Sequence, residues 1–292
     1  MKVIQHGRNI HEIILPKGSN KIAMLSDLHW DNPKCKQDVL LRDLDYCKEN
    51  NIPIMLNGDT FCLMQGKWDP RGNKSDIRPE HNSINYLDSI IQTAVEFFSP
   101  YAHLLTVVGY GNHETSILKR HETDVLQRFV DLLNLKNHTN VYTGGYGGRL
   151  VVRLPQRIGN LVTFNGKYFH GSGGGGVVTR GEINLTRALE MYEDFDFFIM
   201  GHVHENKATN ISRETMSHHP SYGYKVTHRQ MHLAITGTYK EEYKDGAQGW
   251  HIERGAPPKG IGGRIFEFHT RRIAKNNVET ILKKVDSYSF PI

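Results

Sequence analysis

The chain has 292 residues, of which 38% are hydrophobic and 23% charged, so it can bury the core of one large α/β domain or two smaller ones. The formal net charge of +5 mildly favours anionic partners but falls far short of a dedicated nucleic-acid binder. No apolar stretch approaches the roughly 18 residues of a membrane-spanning helix, so we expect no membrane partner.

The cysteine content and the N-terminus together predict a cytoplasmic protein. The three cysteines are Cys35, Cys47 and Cys62, and an odd number without paired spacing argues against a disulfide framework and for a reducing compartment. The first residues carry charge before any apolar run, so we expect no secretory signal.

The first strand–helix unit ends its strand in a pair of polar side chains. Residues 12–15 and 22–25 are predicted strands, and the second leads directly into Asp27 and His29. Because these residues lie two positions apart on extended backbone, both side chains could face one cation. A capping aspartate followed by a loop histidine would give the same pattern. A helical stripe over residues 37–49 completes the unit.

The second unit has its polar residue at the same place. Residues 52–56 form the predicted strand, and Gly58 allows a tight turn that exposes the Asp59 carboxylate, although an ordinary Asn-Gly turn is the alternative. A polar loop over 65–80 follows, and it either overhangs a site for an anionic substrate or is simply solvated. Its basic and aromatic residues are Lys67, Trp68, Arg71, Lys74 and Arg78.

The third unit predicts that the strands are parallel. A helix over 82–98, capped by Asn82 or Ser83 and with Ile84 on its buried stripe, precedes a strand over 104–108. The strand ends in Gly111-Asn112-His113-Glu114, and a helix follows at about 123–133. Three strand–helix units in succession imply parallel strands joined by crossover helices.

The next segment is predicted to be richer in β-structure. Strands are expected at 149–154 and 161–164, and Asn165-Gly166 predicts a hairpin turn whose return strand begins at residue 167 and ends before His170. The glycines of residues 171–176 either let a substrate approach the backbone or form a flexible connector. They do not match a phosphate-binding Gly-x-x-x-x-Gly-Lys loop.

The last polar motif follows the most apolar predicted strand. After a helix over 182–192, residues 197–200 form a buried strand that leads into His202 and His204, whose side chains point to the same side. Further strands are predicted at 225–235 and 263–269. The basic segment 271–284 is interpreted as a solvated surface.

Five weak motifs therefore stand in one order, four of them after apolar strands at one edge of a sheet. Ligands of open α/β sheets bind at that edge, and the joint occurrence makes chance a poor explanation. The motifs are Asp27-x-His29, Gly58-Asp59, Gly111-Asn112-His113-Glu114, His170 and Gly201-His202-x-His204.

This set resembles the calcineurin-like metallophosphoesterase family over about residues 22–205. The resemblance implies an α/β fold: a four-layer α/β/β/α sandwich of two mixed β-sheets flanked by helices. We expect a single domain over 1–292, with the motif-bearing core at about 22–205 and a β-rich C-terminal part at 206–292.

The resemblance also implies a binuclear metal site. One metal ion would be held by Asp27, His29, Asp59 and His204. The other would be held by Asp59, Asn112, His170 and His202. Asp59 would bridge the two ions, and His113 would be catalytic beside the substrate. His170 is preferred over His121 and His138 because it ends a predicted strand.

The expected reaction is hydrolysis of phosphate monoesters or diesters, on small or nucleotide substrates, by a metal-bridging hydroxide. Two divalent cations roughly 3.5–4 Å apart can clamp a phosphoryl oxygen and lower the pKa of a bridging water. Imidazole, carboxylate and amide ligands without a thiolate suit Mn²⁺, which we expect first, with Fe, Zn²⁺, Co²⁺ and Ni²⁺ as alternatives.

Two other functions are compatible with the family resemblance. A DNA or RNA nuclease is disfavoured because the family's repair nucleases carry an added capping domain, and little chain follows His204. A non-catalytic scaffold is disfavoured because every ligand position is filled. The expected partner is a phosphate-ester substrate; nucleic acid is not favoured, and the oligomeric state is left open.

Overall fold

The computed structural model describes residues 1–63, 72–156, 160–219, 223–246, 250–253, 255–275 and 278–291. Within these residues, two β-sheets pack face to face and helices cover their outer faces. Lys67, Trp68 and Arg71 of the predicted basic loop lie outside the described residues, so an overhang above the site stays a prediction.

The strands divide between a seven-stranded and a six-stranded sheet. In chain order they are β1 (Lys2–Gly7), β2 (Ile10–Ile14), β3 (Lys21–Leu25), β4 (Ile54–Asn57), β5 (Leu105–Gly109), β6 (Tyr142–Thr143), β7 (Gly147–Pro155), β8 (Leu161–Phe169), β9 (Phe197–Met200), β10 (Lys207–His219), β11 (Gly223–Ile235), β12 (Arg264–Lys275) and β13 (Val278–Ser289). One sheet has the order β1-β2-β7-β8-β9-β11-β10 and the other β13-β12-β3-β4-β5-β6.

The helices connect these strands on the outside of the sandwich. They are α1 (Gln37–Glu49), α2 (Tyr86–Phe98), α3 (Asn112–His121), α4 (Val125–Asn137), α5 (Glu182–Met191) and the short α6 (Trp250–Glu253). In the described part of the chain, none of them is long and apolar enough to cross a membrane.

Alternating side chains of the strands build the layers. Along β3, Ala23 and Leu25 pack with α1, α2 and α4, whereas Ile22 and Met24 point to the other sheet. A third cluster joins α5 to the outer face of the seven-stranded sheet. Helices, sheet, sheet and helix therefore follow in turn, and the expected α/β/β/α sandwich of two mixed sheets is confirmed.

Strand direction determines where the polar motifs meet. β3, β4 and β5 are parallel neighbours, as the three strand–helix units predicted, and in the other sheet β8, β9 and β11 are parallel. Because the carboxyl ends of parallel strands lie at one edge, the motifs that follow β3, β4, β5, β8 and β9 share one end of the sandwich.

The predicted hairpin at Asn165-Gly166 is wrong. β8 runs without interruption through both residues and pairs antiparallel with β7 along its whole length. A Cβ atom on Gly166 would collide with the ring of Phe197 on the neighbouring strand β9. Gly166 is therefore a packing residue, and the turn signal is overridden by the space that Phe197 needs.

Two helix predictions also need correction. The helix expected over 82–98 begins at Tyr86, Asn85 is its N-cap, and Ile84 is fully exposed rather than buried. The segment after Gly111 is the separate helix α3, so His121 lies at the end of a helix instead of its start. His138 caps the end of α4 in a left-handed conformation.

The C-terminal part contains two long hairpins. β10 pairs with β11, and β12 with β13, along their full lengths, but only residues 232–235 of β11 join β9 and only 264–267 of β12 join β3. We name the β10–β11 hairpin the first ribbon and the β12–β13 hairpin the second ribbon. β10 was not predicted because its mostly exposed, polar sequence has no apolar alternation.

Candidate metal centre

The polar motifs that follow separate strands converge at the carboxyl end of the sandwich. Asp27 and His29 follow β3, and Asp59 follows β4; Asn112 and His113 begin α3 just beyond β5. His170 follows β8, and His202 and His204 follow β9. The structure thus brings together the side chains that the sequence placed at strand ends.

The first group of ligand atoms comes from both sheets. One ligand atom each from Asp27, His29 and His204 lies within 4.8 Å of the others, and Nε2 of His204 is 3.2 Å from Oδ1 of Asp27. The rings of His29 and His204 are 5.6 Å apart at their centroids. These are three of the four residues that were expected to hold the first metal ion.

The second group adjoins it. Asp59, His170 and His202 also offer ligand atoms within 4.8 Å of one another, and Nε2 of His170 is 3.3 Å from Oδ2 of Asp59. The same nitrogen is 4.0 Å from Oδ1 of Asp27, so the two groups are contiguous. Oδ1 of Asn112 lies 2.8 Å from Nδ1 of His202 and 3.3 Å from Nε2 of His170.

His29 provides the test of whether cations fit this site. It is 2% exposed, and neither of its ring nitrogens has a hydrogen-bond partner among the described residues. Burial, with a smaller contribution from His113, lowers the pKa of His29 well below its usual value. A buried neutral imidazole with no partner is costly unless a ligand occupies its lone pair, so the donor set fits a cation here.

Charge pairing keeps the carboxylates ionised. Although burial opposes ionisation, His170 and then His113 hold the pKa of Asp59 well below its usual value. Burial alone would lower the pKa of His170, but Asp59 and Asp27 raise it to about 10. Without a cation, protonated His170 therefore places a positive charge between the two carboxylates. A bound cation would replace that charge.

Hydrogen bonds to backbone carbonyl oxygens orient the imidazoles of His170 and His113. A carbonyl oxygen only accepts, so Nδ1 of His170 donates to the carbonyl of Asn57 at 2.8 Å and leaves Nε2 toward the cluster. Nδ1 of His113 likewise donates to the carbonyl of Cys62, which leaves its Nε2 3.9 Å from Oδ2 of Asp59. Bonds of this kind select the tautomer that presents a lone pair to a metal or substrate.

His113 also belongs to a third group of ligand atoms. His29, Cys62 and His113 lie within 4.8 Å of one another, and the His29 and His113 rings meet edge to face at 4.9 Å. Burial raises the pKa of the Cys62 thiol, which disfavours the thiolate that would bind a metal. This group is therefore a weaker candidate than the other two.

The backbone is strained where these side chains are presented. Ten non-glycine residues of the described chain have positive φ, and five of them are Asp27, His29, Asp59, His202 and His204. Left-handed backbone costs a non-glycine residue about 1–3 kcal/mol, and such strain concentrates at functional sites. The sequence had already indicated these five residues as candidate metal ligands.

Glycines give the cluster room. A Cβ atom on Gly111 would overlap both the backbone nitrogen and Oδ1 of Asp59. On Gly58, which has a φ of +84°, it would overlap Nδ1 of His170. On Gly201 it would overlap the side chains of Ser26 and Asp27. The glycines in three of the motifs are thus required for close approach rather than for flexibility.

Glu114 is a site residue to which the sequence assigned no role. Its carboxylate, 3% exposed, accepts backbone N–H bonds from Asp59 at 3.1 Å, Phe61 at 3.0 Å and Gly111 at 2.8 Å. Burial and Asp59 raise the pKa of Glu114 to about 8, and the N–H donors of Phe61 and Gly111 oppose that rise. Its position three residues after a glycine N-cap was the available signal.

Asp31 and Thr238 form hydrogen bonds with the backbone of the loops that carry the candidate ligands. The Asp31 carboxylate accepts from the backbone nitrogens of Cys62 and Leu63, the latter at 2.9 Å. The hydroxyl of Thr238 donates to the carbonyl of Asp27 at 2.9 Å. Both residues attach a ligand-bearing loop to a neighbouring element, and no local pattern in the sequence indicated them.

The solved structures that resemble this chain include two distant likenesses. No protein-family model matches the chain, and no curated protein matches it. The calcineurin-like phosphoesterase YfkN from Bacillus subtilis matches with a TM-score of 0.37 and 12% identity, over 92% of this chain and 90% of that one. Vps29 from Chaetomium thermophilum matches with a TM-score of 0.33 and 12% identity, over 94% of this chain and 100% of that one. The functional argument therefore rests on the geometry of the side chains.

Proposed function

We propose that the chain is a metal-dependent hydrolase of phosphate esters with a binuclear centre. The observation that carries the proposal is the pair of adjoining ligand groups, Asp27–His29–His204 and Asp59–His170–His202, around buried carboxylates. We assign the bridging role to Asp59, which lies 3.3 Å from Nε2 of His170 in its own group and interacts electrostatically with His29 of the other.

The donor set suits two divalent cations of the Mn²⁺, Fe or Zn²⁺ type. The two groups contain imidazole and carboxylate donors, and the nearby amide oxygen of Asn112 adds a ligand without adding charge. When bound, the two cations would polarise a phosphoryl oxygen and lower the pKa of an attacking water. Mn²⁺ remains our first expectation for the native metal.

The remaining chemistry belongs to His113. Its Nδ1–H bond to the carbonyl of Cys62 holds the ring, and its side chain is 12% exposed, so Nε2 can meet a substrate. When the ring is protonated, with Asp59 3.9 Å from Nε2, the Nε2–H can pass its proton to the departing oxygen of the ester and leave the neutral imidazole that Cys62 holds. His113 thus acts on the leaving group, whereas Glu114 holds the backbone of Asp59 from behind.

The test combines elemental analysis with a substrate screen. Purified protein is expected to contain two equivalents of divalent metal and to hydrolyse small phosphate esters in a chelator-sensitive manner. Monoesters, diesters and single-stranded nucleic acid should be compared at equal concentration. Metal-replete protein without activity on any of them would contradict the hydrolase, and preference for the polymer would favour a nuclease.

A further inference from the structure

The two ribbons project from the end of the molecule opposite to the candidate metal centre. The end of β11 and the start of β12 lie beside the metal-centre loops, because Tyr239 donates to the carbonyl of Asp27 and Arg264 pairs with Met24. The strands run outward from there, and about eight residues of each ribbon extend beyond the sheets, or about 27 Å at 3.3–3.4 Å per residue.

The positive charge of the protein is concentrated on these ribbons. In the parts that project beyond the sheets, residues 211–231 contain three basic and one acidic residue, and residues 268–285 contain five basic and one acidic residue. Together the ribbons carry a formal charge of +6, whereas the whole chain carries +5, so the rest of the molecule carries −1. The modest net charge of the chain therefore conceals a strongly basic end.

The ribbons lie beside each other at their bases. Arg229 of the first ribbon and Lys283 of the second both bind the buried carboxylate of Asp196, at 3.2 and 2.8 Å. Nε2 of His232 is 2.7 Å from the hydroxyl of Ser287, which joins β11 to β13. The two basic hairpins are thus held next to each other.

Their outer parts expose cations and apolar groups together. Besides Lys283, which binds Asp196, the exposed cations are Lys225, Arg271, Arg272 and Lys284, and Nζ of Lys284 also lies 2.7 Å from Oδ2 of Asp286. On the first ribbon, Met216 is 69%, Tyr224 74% and Val226 53% exposed. A two-stranded hairpin without a third strand or a packing face is only marginally stable in water, so a bound partner would stabilise this part.

We propose that the two ribbons form a docking surface for double-stranded DNA. The major groove of B-form DNA admits a two-stranded β-ribbon, and exposed Lys and Arg side chains bind phosphates on either side of it. Met216, Tyr224 and Val226 can contact thymine methyl groups or base edges in the groove. Duplex RNA fits less well because its major groove is narrow and deep.

Charge complementarity selects DNA over a second copy of the chain. Two copies would bring positive ribbons together, and the remainder of the molecule carries a formal charge of only −1 to attract them. DNA docked on the ribbons lies away from the candidate metal centre, so it tethers the protein and is not its substrate. This inference is independent of the proposed hydrolase activity.

The experiment measures binding of a fluorescein-labelled DNA duplex by anisotropy as salt rises from about 50 to 200 mM. Four exposed cations on phosphates predict a log–log slope of about −4. The variant Lys225→Gln/Arg271→Gln should bind more weakly, with a slope shallower by about 2. The matched control, Lys119→Gln/Lys136→Gln, removes the same charge from exposed helix positions and should bind like wild type.

Several results would overturn the docking surface. The first is that DNA does not bind at the lowest salt concentration. The second is that the ribbon variant and the control variant show the same salt-dependence slope. The third is that poly-glutamate binds as tightly as DNA does. Sedimentation that shows a dimer without DNA, abolished by the ribbon substitutions, would instead assign the ribbons to a second copy. Hydrolysis of small esters should be unchanged in the ribbon variant, whichever result is found.

Discussion

The backbone N–H of Asp59 donates a hydrogen bond to the carboxylate of Glu114, 55 residues further along the chain, at 3.1 Å. The same carboxylate binds the N–H groups of Phe61 and Gly111, so one side chain positions the loop after β4 and the start of α3. This relationship makes Glu114 a positioning residue for the candidate metal bridge.

Glu114→Gln is expected to loosen the metal centre without removing a ligand. All three neighbours of the carboxylate are N–H donors, and above about pH 8, where Glu114 is ionised, the amide replaces one acceptor with another donor. We expect a loss of about 1–3 kcal/mol in the free energy of unfolding and of about 10–100-fold in metal affinity. Urea unfolding and metal titration measure these. Glu96→Gln, on the exposed face of α2, is the control, and unchanged metal affinity in Glu114→Gln would contradict the role.

Asp59→Asn should remove activity and metal occupancy together. The substitution eliminates the charge that two cations would share, so we expect less than two equivalents of metal and a fall in kcat/KM of more than about 100-fold. Elemental analysis and ester hydrolysis check both effects on one preparation. Asp38→Asn, at an exposed position of α1, should change neither. Two metals with near-wild-type turnover in Asp59→Asn would refute the site assignment.

His113→Ala should separate the leaving-group role from metal binding. We expect both metals to remain, because the His113 ring is held by the carbonyl of Cys62 and lies outside the two main ligand groups. Hydrolysis of an alkyl or nucleoside ester should lose about 100–10,000-fold in kcat, and that of a p-nitrophenyl ester far less. The exposed His103→Ala is the control.

Two other results for His113→Ala would each assign this residue a different role. Equal losses on both esters, with metals intact, would make His113 an electrostatic stabiliser of the phosphoryl group. Loss of a metal would make it a ligand, and the third group with His29 and Cys62 would then have to be reconsidered.

Gly111→Ala should displace Asp59 while leaving the fold in place. The added Cβ would overlap the nitrogen and Oδ1 of Asp59, and Gly111 has an extended backbone that alanine can adopt. We expect fewer than two metal equivalents and a folded circular-dichroism spectrum. Gly7→Ala is the matched control, because its nearest neighbour would be Ile10 at an ordinary 3.8 Å. Full metal occupancy in Gly111→Ala would show that Asp59 does not need its present position.

His232 predicts a pH dependence of stability that is separate from the metal centre. Burial, and then the cation of Arg264, lowers the pKa of His232 to about 4, from an ordinary 6.5. The folded protein therefore binds this proton more weakly than the unfolded chain. The resulting contribution of His232 to the free energy of unfolding is fully present above pH 6.5. It is lost as the pH falls toward 4, and the loss reaches about 3 kcal/mol.

The measurement is urea unfolding of wild type and His232→Gln from about pH 7.5 to pH 5. Metal loss at low pH affects both proteins, so the difference between them reports His232 alone. That difference should shrink as the pH falls, because only wild type loses the contribution. A difference that stays constant with pH would show that His232 titrates normally.

The sequence alone was enough to identify the three parallel strands β3, β4 and β5 and the polar residues at strand ends. β9 was predicted at its observed bounds and α1 likewise, because long apolar or amphipathic patterns are local properties of the chain. The motif residues were found for the same reason, since each follows an apolar run directly. The architecture of two sheets came from the family resemblance and was confirmed by the packing of the strands.

Only the tertiary structure decided which distant groups meet. The backbone N–H of His202 donates to Asp27 at 2.9 Å across 175 residues, a pairing to which no local pattern points. The supporting role of Glu114, the collision that makes Gly166 a packing residue and the side-by-side basic ribbons have the same origin. Local sequence determines periodicity and turn chemistry, whereas the register between strands and the space between side chains depend on contacts far apart in the chain.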